Sequence, residues 1–262
     1  MIRVGVLGAT GRMGREVCRA VVEDGQLALV AAVSPSRVGE SIGSIIGHPE
    51  VDVRVDDLLD VCLQADTDVL VDFTTPDAVM DNVRWAVEHA VHLVVGTSGV
   101  GEREIAEIGR LMEEDGAHII VVPNFAIGAV LAQRFSEQAA RLFPAVEIVE
   151  LHHDGKRDAP SGTSLITARR IANARANEWR GPEAERLEGV RGGDVEGVRV
   201  HSVRLPGLVA HQEVIFGGTG ETLTIRHDSH DRASFMPGVL LAIKAIVARP
   251  GLTVGLEPLL DL

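Results

Sequence analysis

Residues 150–163 read ELHHDGKRDAPSGT and gather several side chains that can move protons or hold an anion. His152 and His153 stand four and three residues before Lys156. Imidazole titrates near neutral pH and can donate a proton. An ammonium can donate one too, or bind a carboxylate, whereas a guanidinium keeps its protons. Lys156 and Lys244 are the only lysines among 25 basic residues, so lysine at 156 is a marked choice. Beyond it, Pro160 and Gly162 shape a turn, and Ser161 or Thr163 can cap a following helix. The unpaired N–H groups of that helix's first turn would form an anion site without net charge. Together these residues fit protonation of a small substrate held by a carboxylate. Both histidines can face one cavity only if the strand carrying them stops there, and the turn signal Asp154-Gly155 favours such a stop.

A net charge of −13 argues against nucleic acid as a partner, because phosphate binding needs a basic face. An acidic substrate then requires locally supplied positive potential, which Lys156, histidine and a helix N-terminus provide. With 45% hydrophobic and 24% charged residues the composition is that of a globular protein. No apolar run approaches the roughly 18 residues of a membrane span. The N-terminus enters a strand pattern at once, so no membrane association and a cytoplasmic location are expected. Cys18 and Cys62 lie far apart in apolar stretches and read as buried free thiols. His227 and His230, near Arg232, lack further ligands at metal spacing, so no metal is expected; either Asp228 and Asp231 satisfy these basic groups, or the whole stretch borders the domain hinge. No hydrolase nucleophile elbow or P-loop lysine is present.

Those groups need elements to position them. The first half alternates β-rich runs with helical patterns, as βαβ units around a parallel sheet do. Strands are predicted at 3–7, 28–33, 68–74, 92–96 and 118–122. Helices are predicted at 12–24 (with Gly25 as C-cap), 77–89, 102–114 and 127–142. Gly8-Ala9-Thr10-Gly11-Arg12-Met13-Gly14 closes the first strand and opens the first helix, a turn that admits a pyrophosphate to backbone N–H groups. The second strand runs out at Ser34-Pro35-Ser36-Arg37, with no carboxylate before Glu40. Hydroxyls and a guanidinium there suit a 2′-phosphate, so NADPH is expected at least as readily as NADH. Phe73-Thr74-Thr75-Pro76, Gly96-Thr97-Ser98-Gly99 and Pro123-Asn124-Phe125-Ala126 follow later strands, at the sheet edge where such folds bind ligands. After residue 144 the rhythm changes to a strand at 146–151, a helix at 164–177, a loop at 180–197 and strands at 198–205, 212–216 and 222–226, read as antiparallel. A last helix spans 238–248. The fold class is α/β: a dinucleotide-binding domain (1–125 and 235–262) interrupted by an α+β domain (126–234).

GATGRMG, VDFTTP, VVGTSG, PNFAIG, ELHHDGKRDAPSGT and the stretch GETLTIRHDSHDRASF with PGVLLA together resemble the dihydrodipicolinate reductase family, over essentially the whole chain. The resemblance implies a Rossmann-like domain and an α+β domain that binds substrate and builds a homotetramer. It implies reduction of a cyclic imine bearing two carboxylates by NADH or NADPH, in the diaminopimelate route to lysine. By motif position His152 is the proton donor and acceptor and Lys156 a second proton donor. The resemblance implies that His153, Gly162 and Thr163 bind the small dicarboxylate substrate, and Ser161 is expected beside them. It also implies that Gly8 to Met13, Gly96, Thr97, Ser98, Pro123, Asn124, Phe125 and Ala126 hold the dinucleotide; Ser34, Arg37, Phe73 and Thr74 are expected to join them from their place at the strand ends. Ser34 stands where many members carry an acid; Ser98 and Ala126 replace a commoner threonine and serine. Asp154 is placed to raise the histidine pKa values. A reductase of another imine or oxo-acid, or a non-catalytic nicotinamide-binding protein, would be free to lose part of HHxxK or DAPSGT.

Overall fold

In the computed structural model the described residues are 1–112, 116–175, 179, 181 and 184–260. The chain divides into two units, Met1–Phe125 with Phe235–Leu262, and Ala126–Ser234.

The first unit carries β1 (Ile2–Leu7), α1 (Arg12–Glu23), β2 (Leu27–Val33), α2 (Ile42–Ile46), β3 (Val55–Asp56), α3 (Asp60–Gln64), β4 (Val69–Asp72), α4 (Val79–Glu88), β5 (His92–Val95), α5 (Glu102–Leu111) and β6 (Ile119–Val121). Its strands pair in the order β12-β6-β5-β4-β1-β2-β3, where β12 is Leu252–Val254, and every pairing is parallel. The strands read as continuous apolar runs because both sheet faces are covered. Leu7, Leu70, Leu93 and Ile119 pack with Val83 and Ala86 of α4 and Ile108 of α5. On the other side α1 lies against α8 (Met236–Ile246), which also contacts β4, β5 and β6.

The second unit carries α6 (Ile127–Ala140), β7 (Ala145–His152), α7 (Gly162–Ala174), β8 (Gly193–Val195), β9 (Val198–Arg204), β10 (Ala210–Gly218) and β11 (Glu221–Ser229). Strand order is β11-β10-β7-β9-β8. Ile148, Val200, Val214 and Phe216 form a core with Ala139 and Ala140 of α6 and Ala168 and Ile171 of α7. Along β7 burial alternates, so one sheet face meets the helices and the other is left uncovered by them.

Several expectations need correction. β9 and β10 are not neighbours: β7 lies between them, parallel to β9 and antiparallel to β10, because the chain leaves β7 through α7 before returning. Part of the predicted loop 180–197 is β8, a three-residue edge strand too short to show a pattern. The short elements α2, α3, β3 and β12 were not predicted, for the same reason. Gly25 is not a left-handed cap; Asp24 ends α1 in an extended conformation. α5 ends at Leu111 and α7 at Ala174, and the predicted continuations over 113–114 and 176–177 lie outside the described residues, as do residues 180, 182 and 183 of the predicted loop.

Candidate active site

In the first unit the glycine turn sits on the carboxyl edge of the sheet. Gly8 and Ala9 N–H both donate to the Val33 carbonyl (2.8 and 3.0 Å), which seats the turn over the end of β2. Gly8 has φ +76°, open to glycine at little cost. A Cβ on Gly14 would lie 2.1 Å from the Gly8 carbonyl oxygen, so only glycine lets α1 start this close to the turn. Gly11 caps the helix, and no acid occupies its first turn. The exposed Arg12 has no ion pair among the described residues. Orphan N–H groups, an approachable backbone and a cation at a 12-residue helix form a donor set that fits a pyrophosphate.

At the end of β2, Thr10 Oγ1 meets Ser34 Oγ (2.6 Å) and Ser36 Oγ (2.7 Å), forming a hydroxyl cluster without a carboxylate. Arg37 does not stand free beside it. Its guanidinium is forked onto Glu40 (2.7 and 3.1 Å) from a left-handed backbone.

The loops after β4 and β5 converge on Asp72, a fully buried carboxylate. It accepts from Thr74 N (2.8 Å), Thr74 Oγ1 (2.7 Å), Thr97 Oγ1 (2.7 Å) and Asn82 Nδ2 (2.8 Å). The side chains of Thr74 and Thr97 are thus tied inward, and these loops offer a ligand mainly their backbone. Phe73 and Phe125 rings lie 5.5 Å apart beside Gly96, while Pro123 and Ser98 are exposed and Asn124 half-buried. Ala126 is the N-cap of α6 and opens the second unit. Cys18 and Cys62 are buried free thiols, each pushed up to about 12 by burial and inert in proton transfer near neutral pH.

In the second unit β7 ends at His152, so His153 escapes the strand's alternation. Period two puts Glu150 and His152 on the helix-facing side. Glu150 is fully buried and accepts from Arg204 Nη2 (2.8 Å) and Nη1 (3.0 Å), a bidentate pair. It also holds His152 Nδ1. Burial by itself would raise the Glu150 pKa, but hydrogen bonds from Arg204, Ser202 and His152 outweigh it and keep the carboxyl below its usual range. Burial lowers the His152 pKa beneath the ordinary histidine value; Glu150 counters this, and the charges of Lys156 and Arg204 add to it.

The Lys156 ammonium sits on Asp158 (2.8 and 2.9 Å), and Arg204 Nη2 donates to the Asp158 carbonyl (2.7 Å). Lys156, Asp158, Arg204, Glu150 and His152 therefore form one connected network. Ser161 is the N-cap of α7, accepting from Ser164 N (3.2 Å). Its hydroxyl continues through Ser164 Oγ (2.9 Å) to Gln212 Oε1 (2.8 Å) on β10. Gln212 Nε2 then donates to Thr167 Oγ1 (3.0 Å), which fixes the helix start to the sheet. Gly162 is the exposed first residue of α7; Thr163, half-buried, follows it and is not the cap. His153 is exposed on the turn and makes no side-chain hydrogen bond among the described residues.

Glu150 and Arg204 were not singled out from sequence. The i, i+2 spacing of Glu150 and His152 on a strand was a legible signal, but Arg204 lies 54 residues beyond Glu150. Asp154 is exposed and is not among the groups acting on His152; Glu150 is the carboxylate that does. Asp228 binds His211 (2.7 Å) and Arg226 (2.9 Å) and Asp231 caps Ala233 N (2.7 Å); among the described residues neither is hydrogen-bonded to His227 or His230, although the Asp228 charge acts on His227. Among the described residues no group of three or more His, Cys, Asp or Glu side chains could hold a metal ion.

A doubly covered parallel sheet with a glycine turn at its carboxyl edge, and a second unit carrying a carboxylate-held histidine, define an oxidoreductase of the pyridine-nucleotide class. Two family models match, "Dihydrodipicolinate reductase, N-terminus" over residues 2–125 and "Dihydrodipicolinate reductase, C-terminus" over residues 128–260. The chain belongs to the dihydrodipicolinate reductase family. The 4-hydroxy-tetrahydrodipicolinate reductase of Nocardia farcinica is 53% identical, covering 100% of this chain and 99% of that protein. The Syntrophomonas wolfei protein of the same name is 51% identical, covering 98% of each. The structure of dipicolinate-bound dihydrodipicolinate reductase from Paenisporosarcina sp. TG-14 superposes with a TM-score of 0.87 at 41% identity, covering 98% of this chain and 99% of that one.

Proposed function

We propose that this chain reduces 4-hydroxy-tetrahydrodipicolinate to tetrahydrodipicolinate with NADPH or NADH, in the diaminopimelate route to lysine. Full-length relatives at about half identity bear that activity in their names. The observation that carries the residue assignments is the network joining His152, Glu150, Arg204, Asp158 and Lys156 beside the capped start of α7.

When bound, the reduced nicotinamide supplies the hydride. His152 Nε2, which no described residue holds, delivers the proton. Lys156 is the second proton donor once a substrate carboxylate draws it from Asp158. The backbone N–H groups of Gly162 and Thr163, with Ser161 and His153, hold a carboxylate at the α7 N-terminus. A dipicolinate-bound relative supports a dicarboxylate as the ligand class. The backbone of Gly8–Met13 takes the pyrophosphate, and the loops at 73–74, 96–98 and 123–126 serve the rest of the dinucleotide. The Thr10, Ser34 and Ser36 hydroxyls suit a 2′-phosphate, with Arg37 released from Glu40, so NADPH is accepted at least as well as NADH.

The uncovered sheet face of the second unit presents Val149, Leu151, Val203 and Ile215, none of them fully buried. That face supports assembly into a homotetramer; a solution mass of one 27.9 kDa chain would overturn this. Among the described residues no helix is long and apolar enough to cross a membrane, and a cytoplasmic biosynthetic enzyme is the reading we adopt; recovery in a membrane fraction would contradict it.

The central test follows oxidation of each reduced cofactor with substrate generated in situ from pyruvate and aspartate semialdehyde. His152→Ala should lower kcat by about 10²–10⁴-fold, the usual worth of a general acid, and Lys156→Ala should lower it as well. Activity surviving both substitutions would remove the assignments. Strong preference for NADH would defeat the cofactor reading.

A further inference from the structure

We infer that Glu150, clamped by Arg204, is a positioning residue that holds His152 through Nδ1 so that only Nε2 is left to exchange a proton. This rests on the reading of His152 as the proton donor. An ionised carboxylate can only accept hydrogen bonds, so the atom it holds must carry the hydrogen. Arg204 keeps Glu150 ionised by filling both of its oxygens with N–H donors. The neutral ring therefore has its hydrogen on Nδ1 and a lone pair on Nε2. In that state Nε2 cannot donate. It must first take a proton from solvent, and the Glu150 charge stabilises the imidazolium while it waits.

The groups around the ring come from three directions. Glu150 lies on its own strand, Arg204 comes from β9, and Lys156, held by Asp158, comes from the following loop. On β10 the residue opposite is Ala210, which carries no charge. Arg204 has two opposed effects: it braces Glu150, yet its own charge disfavours the imidazolium. It also anchors the Lys156 loop through the Asp158 carbonyl, so one guanidinium sets the position of both proton donors.

The pH dependence of kcat/KM separates this role from a structural one. Activity should fall as pH rises through the titration of His152, since the donor must be protonated. In Glu150→Gln the imidazolium loses its anionic partner, and the falling limb should move to lower pH by about one unit, with kcat down about 10–100-fold. Glu150→Asp, which keeps the charge, should recover part of both. A limb that stays at the wild-type position in Glu150→Gln, while His152→Ala abolishes it, would overturn the inference alone. If His152→Ala keeps the wild-type limb, the donor assignment itself fails. Should Glu150→Gln not fold, ¹⁵N spectra of histidine-labelled wild-type protein decide, with His152→Gln assigning the resonance. Hydrogen on Nδ1 supports the inference; hydrogen on Nε2 in the neutral ring overturns it.

Discussion

At the scale of single residues, the buried carboxylates do the organising. Asp72 has no cationic partner among its hydrogen bonds and is balanced by four neutral donors, two of them on the loop after β4 and one on the loop after β5. Replacing it by alanine strands those donors in a buried setting. Asp72→Ala should cost about 2–4 kcal/mol of stability and raise the KM for the reduced cofactor several-fold, while Asp72→Asn, which keeps an acceptor, should do less. Denaturant unfolding and cofactor saturation curves check both parts. An unchanged KM would show that these loops hold their shape without the carboxylate.

Among the elements, α7 depends most on how its first turn is fixed. A helix N-terminus attracts an anion only if its N–H groups point at a constant place. Ser161 caps the helix, and Ser164, Gln212 and Thr167 bind that turn to β10. Ser161→Ala removes the cap, worth about 1 kcal/mol, and also loosens the chain of hydroxyls behind it. We expect a modest loss of stability, with KM for the dicarboxylate rising more than kcat falls. Steady-state kinetics would contradict this by showing an unchanged KM beside a reduced kcat. The α1 turn is held differently, by the Gly8 and Ala9 N–H groups on the Val33 carbonyl at the end of β2.

For the whole molecule, acid is the vulnerable direction. Burial holds His92, His152 and His227 below the ordinary histidine value of 6.5, and the stacked ring of His118 adds to the effect at His92. His92 Nδ1 accepts the His118 N–H (3.0 Å), a bond that protonation would break. Because these folded-state values are depressed, the unfolded chain binds more protons just below pH 6.5. Stability is fully present above that pH and drains away as pH falls toward the folded values. Glu150 and Asp228, held low by their cationic partners, act in the same sense further down, below the usual carboxylate range of 3.8 to 4.5. The Tm should therefore drop as pH falls from about 6.5 to about 5.5, and again below about pH 4.5. Scanning calorimetry giving a flat Tm across the first interval would refute the histidine part.

What the sequence determined by itself was whatever depends on local pattern. Apolar runs of strand length, 3.6-residue periodicity and the glycine turn located β1, α1, β2, α4, β5, α6 and β7, because neighbouring residues alone decide them. HHDGK followed by DAPSGT marked the chemical segment for the same reason, and the turn after His152 foretold where β7 would stop. Only tertiary structure could decide what comes from far along the chain. It inserted β7 between β9 and β10, and it turned Thr74 and Thr97 inward onto Asp72. It also brought Arg204 across 54 residues to Glu150. Such pairings follow from which buried charges and strand edges are left unsatisfied once the sheets close, and that is a property of the folded whole.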